Sequence, residues 1–110
     1  MKVRELSEIA GFTVLTGNKA LDRTIGGCYI GDLLSLAMAK VETDSAWLTI
    51  QTNINVVAVA SLKDAACVII VDGYQPEDDV VAKAKEEDIV LLATEASAYD
   101  VACQIHSIGL

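Results

Sequence analysis

Histidine is almost absent from this chain: His106 is the single copy among 110 residues. The scarcity bears first on catalysis, because a serine or cysteine nucleophile is ordinarily activated by a neighbouring base, most often an imidazole. His106 falls near the carboxyl end, with no serine or cysteine framed beside it as a nucleophile, and is expected at the surface. Basic residues are also few, 8 Lys and Arg against 16 Asp and Glu, for a formal net charge of −8. Nucleic acid and anionic membranes both demand a basic footprint that displaces counterions from phosphate, so neither is an expected partner. Apolar stretches such as "NVVAVA" and "CVIIV" fall far short of the ~18 residues that a membrane span requires. The opening "MKVRELSEIAG" puts charges where a secretory signal has its apolar centre, so the expected location is the cytoplasm.

Other absences narrow the chemistry further. Cys28, Cys67 and Cys103 form no Cys-x-x-Cys pair and are too few for a disulfide framework, so they read as small apolar residues in a reducing compartment. There is no Gly-x-x-x-x-Gly-Lys-Ser/Thr phosphate loop, and "GGCYIG" departs from the Gly-x-Gly-x-x-Gly dinucleotide fingerprint. The acidic runs "PEDD" and "KEED" lack the Asp-x-Asp-x-Asp-Gly spacing of a calcium loop and read as solvated helix faces. No catalytic residue, cofactor or metal is expected.

What is present is a rhythm of short strands and helices in a chain long enough for one domain, residues 1–110. Val3, Leu6, Ile9 and Ala10 fall on one helical face that Gly11 ends. "FTVLTG" and "GGCYI" read as strands separated by the polar "NKALDRTI". From Asp32, an acid in the first turn, Leu33, Leu36, Ala37 and Lys40 give the next helix. "AWLTIQ" is a strand. "NINVVAVASLKDA" is Val-rich, but its length and the spacing of Val56, Val59, Ala60 and Lys63 favour a helix, with Thr52 or Asn53 as N-cap. "CVIIV" and "IVLLA" are unbroken apolar runs, as strands covered on both faces are, and the first should be central in a parallel sheet. Pro76 suits the first turn of the helix between them, with Glu77, Asp78 and Asp79 at its positive end and Lys83 and Lys85 later. Ser97 and Asp100 have the spacing of a capping box for a last helix that turns Val101, Ile105 and Ile108 inward and stops at Gly109. The alternation implies a layered α/β/α fold with a mostly parallel sheet.

Two polar constellations remain. In the first, Asp22, Arg23, Thr24, Gly26 and Gly27, Arg23 could grip a carboxylate or phosphate while the paired glycines admit a close backbone approach. The competing reading, preferred here, is a shaped turn in which Asp22 and Arg23 hold each other or cap a helix and the glycines supply positive φ. The second, "QTNIN" from Gln51 to Asn55, falls at the carboxyl end of a strand and the amino end of a helix, the edge at which open parallel sheets bind ligands. Simple capping by Thr52, Asn53 and Asn55 would also account for it. Asp72 and Gly73 end the adjacent strand, where they either line the same edge or form a plain Asp-Gly turn.

Together, "DRTIGGCYIGDLLSLAM", "WLTIQTNINVVAVASLKDAACVIIVDG" and "AKEEDIVLL" resemble the DRTGG domain, over nearly the whole chain. Gly26, Gly27, Asp32, Leu33, Leu34 and Ser35 match its first motif, and Gln51, Thr52 and Asn53 through Ala60 its second. Ile25 interrupts the pentapeptide that gives the family its name, Asn53 stands in place of the usual His, Gly31 in place of a Ser, and Leu36 in place of a frequent acid. The resemblance implies a fold like the amino-terminal domain of HPr kinase, a place in regulatory regions such as those of phosphotransacetylases and CBS-domain pyrophosphatases, and a position at dimer contacts. It carries no kinase activity, because the phosphate loop is absent.

The expected function is a non-catalytic regulatory module. It binds a small polar or anionic metabolite, nucleotide-like ones included, at the carboxyl edge through Gln51, Thr52, Asn53 and Asn55, with Arg23 as a further donor. It acts as a homodimer and through an unidentified protein partner. Two other classes stay open: a structural dimerisation or docking module without a ligand, raised by the 53% apolar content, and a small enzyme acting on phosphorylated substrates.

Overall fold

The computed structural model describes residues 1–110. In chain order its elements are α1 (Val3–Ala10), β1 (Thr13–Thr16), a 3₁₀ turn (Lys19–Asp22), β2 (Gly27–Ile30), α2 (Leu34–Lys40), β3 (Ser45–Thr49), α3 (Asn55–Lys63), β4 (Cys67–Ile70), α4 (Asp78–Glu86), β5 (Leu91–Ala93) and α5 (Ala98–Ser107). The strands form one sheet in the order β1-β5-β4-β3-β2. Strands β2 to β5 are parallel, in registers such as Cys28↔Ala46, Ala46↔Cys67 and Val68↔Leu91. Strand β1 runs antiparallel to β5 at one edge. Strand β4 is central and every residue of it is buried, as an apolar run without polar alternation requires.

Two cores flank the sheet. Ala46, Leu48, Ile69 and Leu92 pack on one face against Val3 and Leu6 of α1 and Val101 and Ile105 of α5. Trp47, Val68, Ile70 and Leu91 pack on the other against Ala37, Val57, Ala60 and Ala84. Successive strand residues thus feed opposite cores, which gives the α/β/α layering the alternation implied.

Several local expectations need correction. Ile9 is 63% exposed while Ser7 is buried: Ile9 sits about 120° around the helix from Val3, outside the arc that Val3, Leu6, Ser7 and Ala10 share. Gly11, at φ +71°, does end α1. Pro76 lies two residues ahead of α4, because Glu77 takes the extended N-cap position. Ile54, and neither Thr52 nor Asn53, takes the N-cap position of α3; Asn53 stands one residue further out, where its Oδ1 accepts from the Asn55 amide at 2.8 Å. Ser97 Oγ accepts from the Asp100 amide at 3.1 Å, one half of the expected box. Helix α2 buries Ala37 alone and leaves Leu33, at its N-cap, and Leu36 exposed. Positive φ, expected at Gly26 and Gly27, falls instead on Asp44, Asp64 and Asp88, in the turns that lead into β3, β4 and β5. Aspartate tolerates that conformation better than most side chains.

The cysteines do not share one environment. Cys67 is fully buried, whereas Cys28 and Cys103 are exposed. Burial pushes the Cys67 thiol up to about 12. A thiol reagent at pH 8 is therefore expected to modify Cys103 in the native protein and to reach Cys67 only after denaturant is added, as mass mapping of the labelled peptides would record. The ordinary thiol value is 9.0, so the stability linked to the protonated native thiol is complete below pH 9 and is lost as pH climbs toward 12.

Candidate functional site at the carboxyl edge of the sheet

The parallel sheet gives the molecule two unlike ends, and the sequence candidates divide between them. Arg23, Gly26 and Gly27 lie at the amino edge, where β2, β3 and β4 begin. Arg23 Nε donates to Asp44 Oδ1 at 2.7 Å, Nη1 pairs with Asp64 Oδ1 at 2.9 Å, and Nη2 donates to the Asp64 carbonyl at 2.6 Å. Partial burial works against the guanidinium charge, but the hydrogen bonds to Asp44 and Asp64 outweigh it and raise the Arg23 pKa above its ordinary value. One side chain thereby clamps the turns that launch β3 and β4.

Asp22 does not hold Arg23. It pairs with Arg4 of α1 at 3.0 Å, so adjacent residues tie two different elements together. The Gly26 amide donates to the Asp44 carbonyl at 2.8 Å, and a Cβ on Gly26 would sit 3.4 Å from that of Asp44. That is ordinary contact, so neither close approach nor positive φ demands glycine at this position. Asp22 and Arg23 thus act as structural ties, but the expected pairing of the two with each other and the positive φ expected at Gly26 and Gly27 are both absent.

The Arg4 hydrogen bond and charge hold the Asp22 carboxyl below its usual 3.8. A depressed native pKa contributes stability above the unfolded value and loses it as pH falls through the native one. Asp22→Asn is therefore expected to be less stable than the wild type at neutral pH, with the gap closing below about pH 4. Urea unfolding at a series of pH values checks this, and a gap that persisted into acid would contradict it.

Gln51, Thr52 and Asn53 lie at the opposite, carboxyl edge. With Ile54 they line a shallow groove of about 390 Å³, closed on its other side by Glu77, Asp79 and Val80 at the start of α4. Asn55 is exposed and lies outside this lining. Asp72 and Gly73 end β4 at the same edge but turn toward the loop after β5: the Asp72 amide donates to the Ala96 carbonyl and the Gly73 amide to that of Thr94, both at 2.9 Å. Gly73 has φ +76°, and a Cβ on it would collide with the Glu95 carboxylate. The structure therefore brings Gln51, Thr52 and Asn53 together, sets Asn55, Asp72 and Gly73 beside them in other contacts, and places Arg23, Gly26 and Gly27 at the far end.

The groove's lining holds no cation. Glu77 and Asp79 bring carboxylates to it, and the first amides of α3 already donate, Asn55 to Asn53 Oδ1, Val56 to the Asn53 carbonyl and Val57 to the Ile54 carbonyl. Its chemistry is that of amides, one hydroxyl and two carboxylates, which suits a ligand rich in hydrogen-bond donors.

Asp32 belongs to this edge although its sequence position suggested only a first-turn acid. It precedes α2, and its Oδ1 accepts from Thr49 Oγ1 and from the Ile50 amide, both at 2.9 Å. Gln51 Nε2 returns a bond to the Asp32 carbonyl at 3.4 Å, and Trp47 Nε1 donates to the Gly31 carbonyl at 3.0 Å. The segment that starts α2 is thus stitched to the strand end that carries the groove. The one sequence signal was an acid immediately after the strand-ending Gly31. His106 stands exposed on α5, away from the groove lining. No helix is long and apolar enough to cross a membrane.

The family model described as the DRTGG domain matches residues 5–108. No curated protein sequence matches the chain. In fold it is similar to the CBS and DRTGG domains of the regulatory region of Clostridium perfringens pyrophosphatase, a structure solved in complex with the activator diadenosine tetraphosphate. The superposition has a TM-score of 0.79 at 10% sequence identity and covers 94% of this chain and 45% of that one. This chain therefore spans less than half the length of that regulatory region, and the likeness is one of fold.

Proposed function

The chain belongs to the DRTGG domain family, and from that footing we propose that it is a non-catalytic sensor whose ligand sits in the groove formed by Gln51, Thr52, Asn53, Glu77 and Asp79. The ligand is a small polar metabolite that presents donors, such as a nucleoside or an amine, rather than a free phosphate. The observation that carries this reading is the hydrogen-bonded link from Gln51 through Asp32 to the start of α2. A ligand that engages Gln51 bears directly on the helix whose apolar side chains face solvent. A thermal-shift screen of nucleosides, nucleotides, amino acids and polyamines tests it, with the Gln51→Ala, Asp79→Asn double variant as comparison. Binding to the native state raises stability by mass action. A stabilising compound whose effect disappears in the double variant supports the sensor, and an effect undiminished in the variant refutes the site.

A second reading, docking between copies of the chain, is favoured by the β2 edge. The first residues of the chain pair with Thr24 and Ile25, but β2 itself carries no charge and keeps regular register with β3, whereas the pairing of β1 at the other edge is broken between Val14 and Thr16. Unprotected regular edges invite pairing. Ile30, Leu33 and Leu36 are exposed beside it, and Leu62 is 71% exposed. Light scattering that returns twice 11.7 kDa for the wild type and the monomer mass for Ile30→Lys supports this contact.

A further inference from the structure

A site of the opposite charge character lies at the other end of the molecule. A cleft of about 840 Å³ opens between β1, the 3₁₀ turn and the end of α4, within the size range of small-molecule sites. Its floor is apolar, with Leu15, Leu21 and Ile89 among the lining residues. Two cations, Lys19 and Lys85, also line it. Neither joins an ion pair, as is also true of Lys2, Lys40 and Lys63, so both ammonium groups are free to meet an anion. In a chain with a net charge of −8, two lysines free of carboxylate partners line one partly apolar cleft.

The turn that presents Lys19 is held in an unusual conformation. Asn18 has φ 140° and ψ −120°, a region that side chains with a Cβ rarely occupy and that is maintained only where surrounding contacts impose it. Here the Asn18 carbonyl accepts from the Leu21 amide at 3.2 Å and from Arg4 Nη2 at 3.4 Å. These bonds fix the loop that forms one wall of the cleft. Asp88, in the left-handed turn after α4, also lines it, so the cleft sets two cations against one carboxylate, where the Gln51 groove has two carboxylates and no cation.

We propose that this cleft binds an amphipathic organic anion, with a flat apolar body over Leu15, Leu21 and Ile89 and a phosphate or carboxylate between Lys19 and Lys85. An apolar body supplies the area that binding needs, and the two ammonium groups select the anionic head. Inorganic phosphate, having no body, is a poor ligand. The site is separate from the groove at Gln51 and does not depend on it.

The test uses the fluorescent sulfonate 1-anilinonaphthalene-8-sulfonate as probe, with 1-naphthyl phosphate, 1-naphthol and inorganic phosphate as competitors. The expected result is saturable 1:1 binding to the native protein, displaced by 1-naphthyl phosphate and not, at equal concentration, by naphthol or inorganic phosphate. Lys19→Gln with Lys85→Gln is expected to weaken the probe by at least about tenfold, since both charged contacts to the head are lost. Both lysines are exposed, and circular dichroism verifies that the variant is folded. Lys83→Gln, which alters a paired lysine on the same helix, and Gln51→Ala with Asp79→Asn are expected to leave the affinity unchanged. Affinity undiminished in the double lysine variant, displacement by naphthol as strong as by its phosphate, or the absence of saturable binding would each overturn the proposal.

Discussion

Trp47→Ala is expected to lower stability by about 3–5 kcal/mol, the range for removing a buried large aromatic side chain. Trp47 is fully buried on the face of β3 that packs against α2, α3 and α4. Truncation leaves a cavity among Val56, Val57 and Ala60, which backbone hydrogen bonding within α3 prevents from closing fully. It also removes the donor to the Gly31 carbonyl. Small domains have total stabilities of about 5–15 kcal/mol, so the variant is expected to sit close to its unfolding threshold at room temperature. Urea unfolding followed by far-ultraviolet circular dichroism measures the effect. Trp47→Phe keeps most of the bulk and loses the hydrogen bond, for an expected cost of about 1–2 kcal/mol. Comparing the two separates packing from the tie to Gly31, and equal losses would assign the role of Trp47 to the hydrogen bond.

Arg23→Ala has the next largest expected effect, about 1–3 kcal/mol. Its guanidinium joins two carboxylates and one carbonyl contributed by turns 21 and 41 residues away in sequence. Charge-assisted bonds of this kind contribute more than neutral ones. Asp44 and Asp64 are 47% and 64% exposed in their side chains, so water replaces part of what the arginine supplies and the low half of the range applies. The melting temperature is expected to fall by about 4–8 °C per kcal/mol lost. Arg23→Lys is expected to recover little, because an ammonium cannot reproduce the planar fork that reaches both turns. Full recovery by lysine would show that charge, not geometry, sets the clamp.

The fold was legible where one physical requirement dominated. "CVIIV" and "IVLLA" have no polar alternation, which leaves a covered parallel sheet as their environment, and β4 is central as expected. The Val-rich segment before them forms α3 despite its β-branched side chains, because Val56, Val59 and Ala60 repeat at helical spacing and tertiary burial outweighs a weak intrinsic preference. Amphipathic reading failed at Ile9, Leu33 and Leu36, where an apolar residue is on the outside and composition alone could not say so.

The candidate site was legible in part for the same reason. The placement of Gln51, Thr52 and Asn53 at a strand's carboxyl end followed from local order along the chain. The acidic side of the groove did not, since Glu77 and Asp79 arrive from α4, two elements later. Nor did the partners of Asp22 and Arg23: adjacent charges of opposite sign suggested a local pair, whereas Arg4, Asp44 and Asp64 are supplied by separate elements. Asp32 was assigned to the helix that follows it, but its carboxylate turns back to the end of β3, where a buried threonine and a backbone amide lack another acceptor.

The central claim is that ligand engagement at the groove is passed through Asp32 to α2. Amide chemical-shift mapping of the native chain, recorded with each compound of the thermal-shift set, tests it most directly. The account predicts that a stabilising compound moves the resonances of Gln51, Thr52 and Asn53 and, through the bonds to Asp32, those of residues 32–36. In Asp32→Asn, which weakens the acceptor shared by Thr49 and Ile50, the groove shifts should remain and the α2 shifts should shrink. If no compound moves the groove resonances, or if those of α2 move unchanged in Asp32→Asn, the account is contradicted.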